Sequence, residues 1–222
     1  MLSKYKINKV LAELALCYPD AEAELDFENP FELLVATVLS AQCTDVRVNK
    51  VTKVLFAKAP DVAALNAMPQ SVLEEIIKPC GLYKSKAKNL KATAHELVTA
   101  FDSKVPKPIE TLMTLPGVGK KTANVVASNA FGTPAIAVDT HVFRVSNRLG
   151  LANATTVEKT EEQLMQNIPR SKWTKTHHMI IFHGRRVCKA RKPDCEICAM
   201  TKWCEYYAKL SLKKKPKDPV RG

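Results

Sequence analysis

Four of the seven cysteines, Cys188, Cys195, Cys198 and Cys204, fall within 17 residues as C-x6-C-x2-C-x5-C. Four thiols this close in sequence demand a shared ligand, and that ligand closes residues 188–204 into a compact loop. A zinc site made of four cysteines usually comes as two C-x2-C knuckles. Here a single C-x2-C stands between loops of six and five residues, so a [4Fe–4S] cluster fits the spacing at least as well. The other three, Cys17, Cys43 and Cys80, have no metal-like spacing and are expected to be small buried hydrophobes. Lys4, Lys6 and Lys9 precede an apolar run, but Glu13 interrupts it, so a signal peptide is not expected. Nor does any stretch approach the length of a transmembrane helix. In an unsecreted chain, seven cysteines argue for thiols and metal rather than disulfides.

Helix punctuation dominates the remainder. Ile7, Val10, Leu11 and Leu14 share one helical face. Asn29-Pro30-Phe31-Glu32 is a helix start, with Asn as N-cap, Pro at the first position and Glu three after the cap. Leu33 to Gln42 is expected to continue it as a buried helix, and Thr44-Asp45 to restart a helix through about Lys58. Ser71-Val72-Leu73-Glu74 reads as a capping box and Gly81 as the stop of its helix. Further helices are expected over Ser85–Phe101, from Thr155, and over Trp173–Val187. With no run of strand-like alternation, the fold class is all-α.

Leu115 to Asn124 reads Leu-Pro-Gly-Val-Gly-Lys-Lys-Thr-Ala-Asn, between a short helix over Ile109–Thr114 and a helical run ending near Phe131-Gly132. Helix, tight turn, helix is the expected result. Gly117 and Gly119 let the turn adopt positive φ and leave backbone N–H groups bare at a helix start, where a phosphate is favoured. The Gly-Lys-Ser/Thr ending of a nucleotide-binding loop is missing, so the phosphate is that of a polymer rather than of ATP. An ordinary helical hairpin with packing glycines explains Gly-x-Gly equally well. The charge points the same way as the phosphate: 34 Lys/Arg against 22 Asp/Glu give +12, and the segment from Arg185 onward holds 12 basic and 4 acidic residues. Such a concentration favours a polyanion, nucleic acid before membrane, although Lys213 to Lys217 also fit a solvated basic tail over 208–222.

Together, Leu115–Asn124, Val138-Asp139-Thr140-His141 and the four-cysteine run resemble the helix-hairpin-helix family of DNA repair glycosylases. Within it they resemble the bifunctional glycosylase and AP lyase for oxidised pyrimidines, over about Phe27 to Tyr206. The resemblance implies two all-α lobes. One is a six-helix lobe over about 23–132 with the hairpin at 109–130; the other joins 1–22 to 133–222 and carries the cluster loop 188–204. DNA would lie across the cleft of this fold. The partner is double-stranded DNA with an oxidised pyrimidine or abasic site, bound by a monomer in a bacterial cytoplasm. The resemblance also favours [4Fe–4S] over zinc, as a structural clamp positioning Lys189, Arg191 and Lys192 against phosphates.

The roles it implies can be set beside what the residues say alone. Lys121 would be the nucleophile; its neighbour Lys120 and the helix N-terminus both favour a neutral amine, and Lys120 is expected to bind phosphate. Asp139 is a good N-cap residue. The resemblance adds the role of the carboxylate that aids the lysine and stabilises charge on the sugar. Gln42 alone reads as a helix-end amide and Leu82 as a hydrophobic staple. The resemblance makes them the amide and apolar wedge that fill the gap left by an extruded nucleotide. Ser40, Asp45 and His141 match positions of the lesion pocket; His141 is as well explained as a helix-surface histidine, and Arg144 as structural. Met113 departs from the acidic residue common near this hairpin, which puts an accessory carboxylate in doubt. Two other functions compete: an adenine glycosylase, disfavoured by Lys121 and by the short stretch after Cys204, and a non-catalytic DNA-binding iron–sulfur protein.

Overall fold

A computed structural model describes residues 1–214. Among them twelve α-helices run in order: α1 (Lys4–Cys17), α2 (Pro30–Leu39), α3 (Asp45–Lys58), α4 (Val62–Ala67), α5 (Gln70–Ile77), α6 (Tyr83–Ala100), α7 (Ile109–Leu112), α8 (Lys120–Phe131), α9 (Thr140–Leu149), α10 (Val157–Asn167), α11 (Trp173–Arg186) and α12 (Glu205–Lys214). No β-strand occurs among the described residues. None of their helices is long and apolar enough to cross a membrane. The chain divides into two compact units, Met1–Glu22 with Ile136–Gly222, and Ala23–Ala135.

The continuous unit is built around α2. Every residue from Phe31 to Leu39 is buried, as expected of a helix that is apolar on all sides. Asn29 caps it by accepting from the Glu32 N–H at 3.0 Å. Glu32 reaches back, but to the Glu28 N–H at 2.7 Å rather than to the cap residue. α2 packs against α3, α6 and α8. Leu33 and Leu34 of α2 and Leu55, Leu73, Leu90, Leu97 and Leu112 of the same unit are fully buried, each removing apolar surface worth about 1.5–3 kcal/mol.

Lysines terminate helices in this unit. The Lys91 ammonium on α6 donates to the carbonyls of Leu65 at 3.1 Å and Met68 at 2.6 Å, and also to that of Asn66, closing the end of α4. Lys86, only 5% exposed, donates to the carbonyls of Leu39 at 2.9 Å, Ala41 at 2.8 Å and Cys80 at 2.9 Å. This ammonium joins the end of α2 to the turn before α6. It also shows why α2 stops at Leu39 rather than at the expected Gln42. Leu39 and Ala41 give their carbonyls to Lys86, and the Ser40 hydroxyl folds back on the Thr37 carbonyl at 2.8 Å.

Two other expectations are corrected. Ser71 is not an N-cap: α5 starts at Gln70 behind Pro69, and Glu74 accepts from the Gln70 side chain at 2.8 Å. Proline at the cap presets the backbone, so the helix begins before the serine. Of the three cysteines expected to be buried, only Cys80 is; Cys17 is exposed and Cys43 half-exposed. α4, capped by the Asp61 carboxylate on the Ala64 N–H at 2.7 Å, was not expected.

In the discontinuous unit, Ile7, Val10, Leu11 and Leu14 of α1 lie in one core with Val142, Val145, Leu149, Leu164, Ile168 and Ile180. Gly184 lets α9 and α11 approach closely. A Cβ there would stand 3.1 Å from His141 Nδ1 and from Val145 Cγ2. Lys175 of α11 donates to the carbonyls of Pro19 and of Ala21, binding the segment after α1. The basic tail expected from residue 208 is helical in its first part, as the end of α12; from residue 215 it lies outside the described residues.

Replacing Lys86 by Met leaves three carbonyls without the ammonium. Burial already lowers the Lys86 pKa, so part of the loss is offset by relief of desolvation. The expected net destabilisation is about 2–3 kcal/mol, read as a lower denaturant midpoint at unchanged slope. A Lys86→Met protein as stable as the parent would show that desolvation cancels all three bonds.

Candidate functional site

The hairpin turn between α7 and α8 is held from α6. The Thr93 hydroxyl donates to the Pro116 carbonyl at 2.8 Å. Gly117 has φ +76°, and a Cβ on it would lie 2.6 Å from Asn89 Nδ2, so both backbone and packing require glycine there. Gly119 behaves differently from the expectation of positive φ. It is the N-cap of α8 with φ −84° and ψ 173°. No atom lies within 4 Å of where its side chain would be. Nothing among the described residues demands glycine at 119, and the open space in front of it is room for a close approach. Lys120 and Lys121 are the first two residues of α8, at its positive dipole end, and both are exposed.

Gln42 and Leu82 lie in the same unit, on the two segments that Lys86 joins. Both are exposed, Leu82 to 58%, so Leu82 is not the buried staple that sequence alone favours. Both also hold left-handed backbone, at φ 54° and φ 49°. Such a conformation costs of order 1–2 kcal/mol for a non-glycine residue and persists only where its surroundings impose it. The Lys86 ammonium ties both segments through the carbonyls of Ala41 and Cys80. Ser40 closes α2 and Asp45 opens α3, on either side of Gln42.

Asp139 caps α9. It follows the buried, non-helical run Ala135–Val138, and its carboxylate accepts from the Val142 N–H at 2.8 Å. The cap reading is therefore correct, and it leaves a half-buried, rigidly held carboxylate. His141 Nδ1 lies 3.2 Å from an Arg144 nitrogen; since guanidinium can only donate, Nδ1 accepts and the ring proton resides on Nε2. Arg144 spends its other donors on the carbonyls of Cys188 at 3.2 Å and Gly184 at 2.9 Å. Its role is structural, as expected.

Cys188, Cys195, Cys198 and Cys204 line one small cavity with Leu149, His183 and Tyr206, holding about 20 Å³ of water-sized space. Among the described residues no three His, Cys, Asp or Glu side chains converge on a single ion. The sulfurs meet donors. Arg148 Nη1 is 3.6 Å from Cys188 Sγ and 2.7 Å from the Lys189 carbonyl, while Nη2 donates to the Ala190 carbonyl at 2.9 Å. The Tyr207 N–H donates to Cys204 Sγ at 3.5 Å. His183 Nε2 is 3.7 Å from Cys198 Sγ, and its Nδ1 is 2.9 Å from the Tyr18 hydroxyl. Burial pushes His183 down to about 4 and Tyr18 up to about 12. The ring is thus neutral at pH 7, accepting from Tyr18 and donating toward the sulfur. Burial, ahead of the neighbouring cysteines, pushes the Cys198 thiol up to about 11, so a bound metal would have to displace its proton.

Of the three loop cations, Lys189 is paired with Asp194 at 2.8 Å. Arg191 and Lys192 are exposed, and Lys192 holds φ 48° ahead of Pro193. The structure therefore groups Gln42, Leu82, Gly117, Gly119, Lys120 and Lys121 in one unit, and Asp139, His141 and the cysteine loop in the other. Reading the sequence missed Lys86, Thr93, Arg148, His183 and Tyr18. Arg148 was the easiest to find, one turn beyond Arg144 on a helix whose end faces the cysteines.

Residues 35–170 match the HhH-GPD superfamily of base excision DNA repair proteins. An endonuclease III of Rickettsia conorii is 46% identical over 204 residues, 92% of this chain and 97% of that protein. An endonuclease III of Bacillus subtilis is 47% identical over 205 residues, 92% of this chain and 94% of that protein. A solved endonuclease III trapped as a covalent intermediate with DNA superimposes with a TM-score of 0.91 at 49% identity, covering 95% of this chain and all of that one. On the match over its middle, and on relatives this similar along almost its whole length, the chain belongs to the endonuclease III family of HhH-GPD base excision DNA repair proteins.

Proposed function

We propose a division of labour within this DNA glycosylase and AP lyase of base excision repair, whose partner is duplex DNA carrying an oxidised pyrimidine or an abasic site. Lys121 is the nucleophile. Its neutral amine attacks C1′ of the extruded nucleotide, and the damaged base departs with the bonding pair. The nitrogen-linked sugar opens to an iminium, which acidifies the C2′ proton. Loss of that proton expels the 3′ phosphate and nicks the strand by β-elimination. Asp139 stabilises positive charge developing on the sugar and assists deprotonation of the lysine; its cap bond to Val142 holds it fixed. Gln42 pairs with the orphaned base and Leu82 replaces the lost stacking. Gly117, Gly119 and Lys120 take phosphates at the start of α8. Arg191 and Lys192 do so from the cysteine loop, Lys189 being shared with Asp194. Ser40, Asp45 and His141 border the lesion pocket. The protein acts as a monomer in the bacterial cytoplasm, on chromosomal DNA.

The observation that carries this reading is the pair Gln42 and Leu82, a polar and an apolar side chain both exposed and both held in left-handed backbone. A protein spends that strain where the side chains have work outside the fold. A [4Fe–4S] cluster suits the four cysteines. The four thiols line one cavity, and a single C-x2-C between loops of six and five residues fits a cluster at least as well as zinc. Donors from Arg148, Tyr207 and His183 already face three of those sulfurs, as thiolates bound to iron need. The cluster supplies a rigid core for the basic loop; no chemical step passes through it.

Borohydride should trap a covalent complex with thymine-glycol DNA. Lys121→Gln should abolish trapping and cleavage while binding survives on the glycine turn and Lys120. Cleavage retained by that variant would move the nucleophile, with Lys120 first to be tested. Asp139→Asn keeps the cap and loses the charge. Base release should fall about a hundredfold or more, with smaller damage on a preformed abasic site. Equal loss on both substrates would remove the charge-stabilising role.

The purified protein should be brown, with broad visible absorption, and Cys198→Ser should destabilise its unit before it alters chemistry. A colourless native protein with one zinc would replace the cluster. Lys192→Ala should weaken binding to damaged and undamaged duplex alike and reduce the salt slope by about one unit. A loss confined to one sequence context would contradict a phosphate contact.

A further inference from the structure

The turn ahead of α8 packs against one side chain that has no task in the chemistry above. Asn89 stands two turns into α6, about 10 Å along the helix from Leu82. Its Nδ2 lies 2.6 Å from where a Gly117 Cβ would be, and its Cβ and Cγ lie at 2.8 and 2.9 Å. The Gly117 Cα is one carbon–carbon bond further on, so the amide is within about 4 Å of the turn backbone. Asn89 is half-exposed. Among the described residues its amide makes no hydrogen bond. Thr93, one helical turn along the same face, spends its hydroxyl on the Pro116 carbonyl and so holds the turn itself. The Asn89 amide beside it keeps both N–H donors.

We propose that Asn89 is a further DNA-binding residue, whose amide donates to the phosphate taken by the turn of Gly117 and Gly119. The assignment rests on reading that turn as a phosphate site. A phosphate oxygen carries charge and only accepts, so a bond to it from an amide N–H is charge-assisted. The two glycines divide the work. A side chain at Gly117 would collide with the amide, so its absence is what lets Asn89 come up against the turn. At Gly119 no atom lies within 4 Å of the missing side chain, which leaves the space that the phosphate fills.

The placement on α6 gives the contact its purpose. Leu82 caps the start of the same helix, and Lys86 ties its first turn to the carbonyls of Leu39, Ala41 and Cys80. A donor on that helix holds one backbone phosphate at a fixed distance from the wedge. Phosphate contacts set register without reading sequence. Asn89 therefore helps set which step of the duplex meets Leu82, whichever base is damaged. The amide is neutral, so it adds affinity without releasing a further counterion. That separates it from Lys120 in the same site.

The test uses the cluster-loaded full chain and two duplexes, one undamaged and one carrying a tetrahydrofuran abasic analogue, which offers no C1′ aldehyde to a lysine. Fluorescence anisotropy gives the affinity at several salt concentrations, and denaturant midpoints report the folding of each variant. Asn89→Ala should weaken binding to both duplexes about tenfold, as for one hydrogen bond to a charged acceptor, with the salt slope unchanged. Asn89→Asp keeps the shape against Gly117 but can only accept. Its charge faces the phosphate, and binding should fall about a hundredfold. Packing alone predicts the reverse order, since aspartate fills the same space and alanine leaves it empty. Parent-like affinity for Asn89→Ala, an aspartate that binds as tightly as the alanine or tighter, or a loss confined to the tetrahydrofuran duplex would overturn the proposal. Alanine is the better helix former, so that variant decides alone if the aspartate lowers the midpoint. Lys120→Ala, measured alongside, reports on the turn itself and should reduce the salt slope by about one unit. If it does and the Asn89 variants bind like the parent, the amide contact alone fails. If it does not, the phosphate reading of the turn fails, and the amide contact with it.

Discussion

One buried ammonium holds the Gln42 and Leu82 segments in place. Lys86 takes carbonyls from the end of α2, from the turn beyond it and from Cys80. Each of those carbonyls lies where a helix or turn has ended and left an acceptor without an intrahelical partner. Taking them together costs the desolvation of a charge, which the lowered Lys86 pKa reflects. In exchange, two surface segments distant in sequence are tied at one point. That point acts beside the backbone bonds from Lys86 to Leu82 at 3.0 Å and from Cys43 to Ser40 at 3.0 Å, which hold the same two segments. Strain at the proposed wedge is thus compensated from inside the unit that carries it.

Arginine performs the corresponding task in the other unit. Arg144 and Arg148 stand one turn apart on α9 and direct their guanidinium groups at carbonyls of Gly184, Cys188, Lys189 and Ala190. Their planar forks span several acceptors at once, which a lysine could do only as a point charge. The same helix is capped by Asp139. Its cap residue is therefore proposed for chemistry, and its last turn holds the proposed cluster loop. Tyr18 adds a contact from α1 through His183 to Cys198. In the positive excess of the chain, a share of the cations is internal mortar: Lys86, Lys91, Lys175, Arg144 and Arg148 face backbone oxygen. Net charge alone overstates the surface offered to a polyanion.

Much of the fold was legible because helix boundaries are local chemistry. Asn29 with Pro30, the apolar face of α1, the Gly132 stop and the Asp139 cap all act within a turn or two of their own position. The failures share a cause. Ser71 looked like a cap because serine and glutamate stood three apart, but Pro69 set the backbone first. Gln42 looked like a helix end because the apolar pattern ran that far, but the terminator was a lysine on another helix. Cys43 and Cys17 looked buried because cysteine usually is, but burial is a property of the packed unit.

By itself, the sequence determined an all-α chain, a glycine turn ahead of two lysines, four cysteines gathered within 17 residues, and the resemblance that orders these parts. Each follows from residues near one another in the chain, where spacing dictates what can be reached. Tertiary structure alone decided which exposed side chains carry strain and which cations are spent on the interior. Those depend on contacts between segments distant in sequence, made when carbonyls left over from one helix are satisfied by a side chain from another.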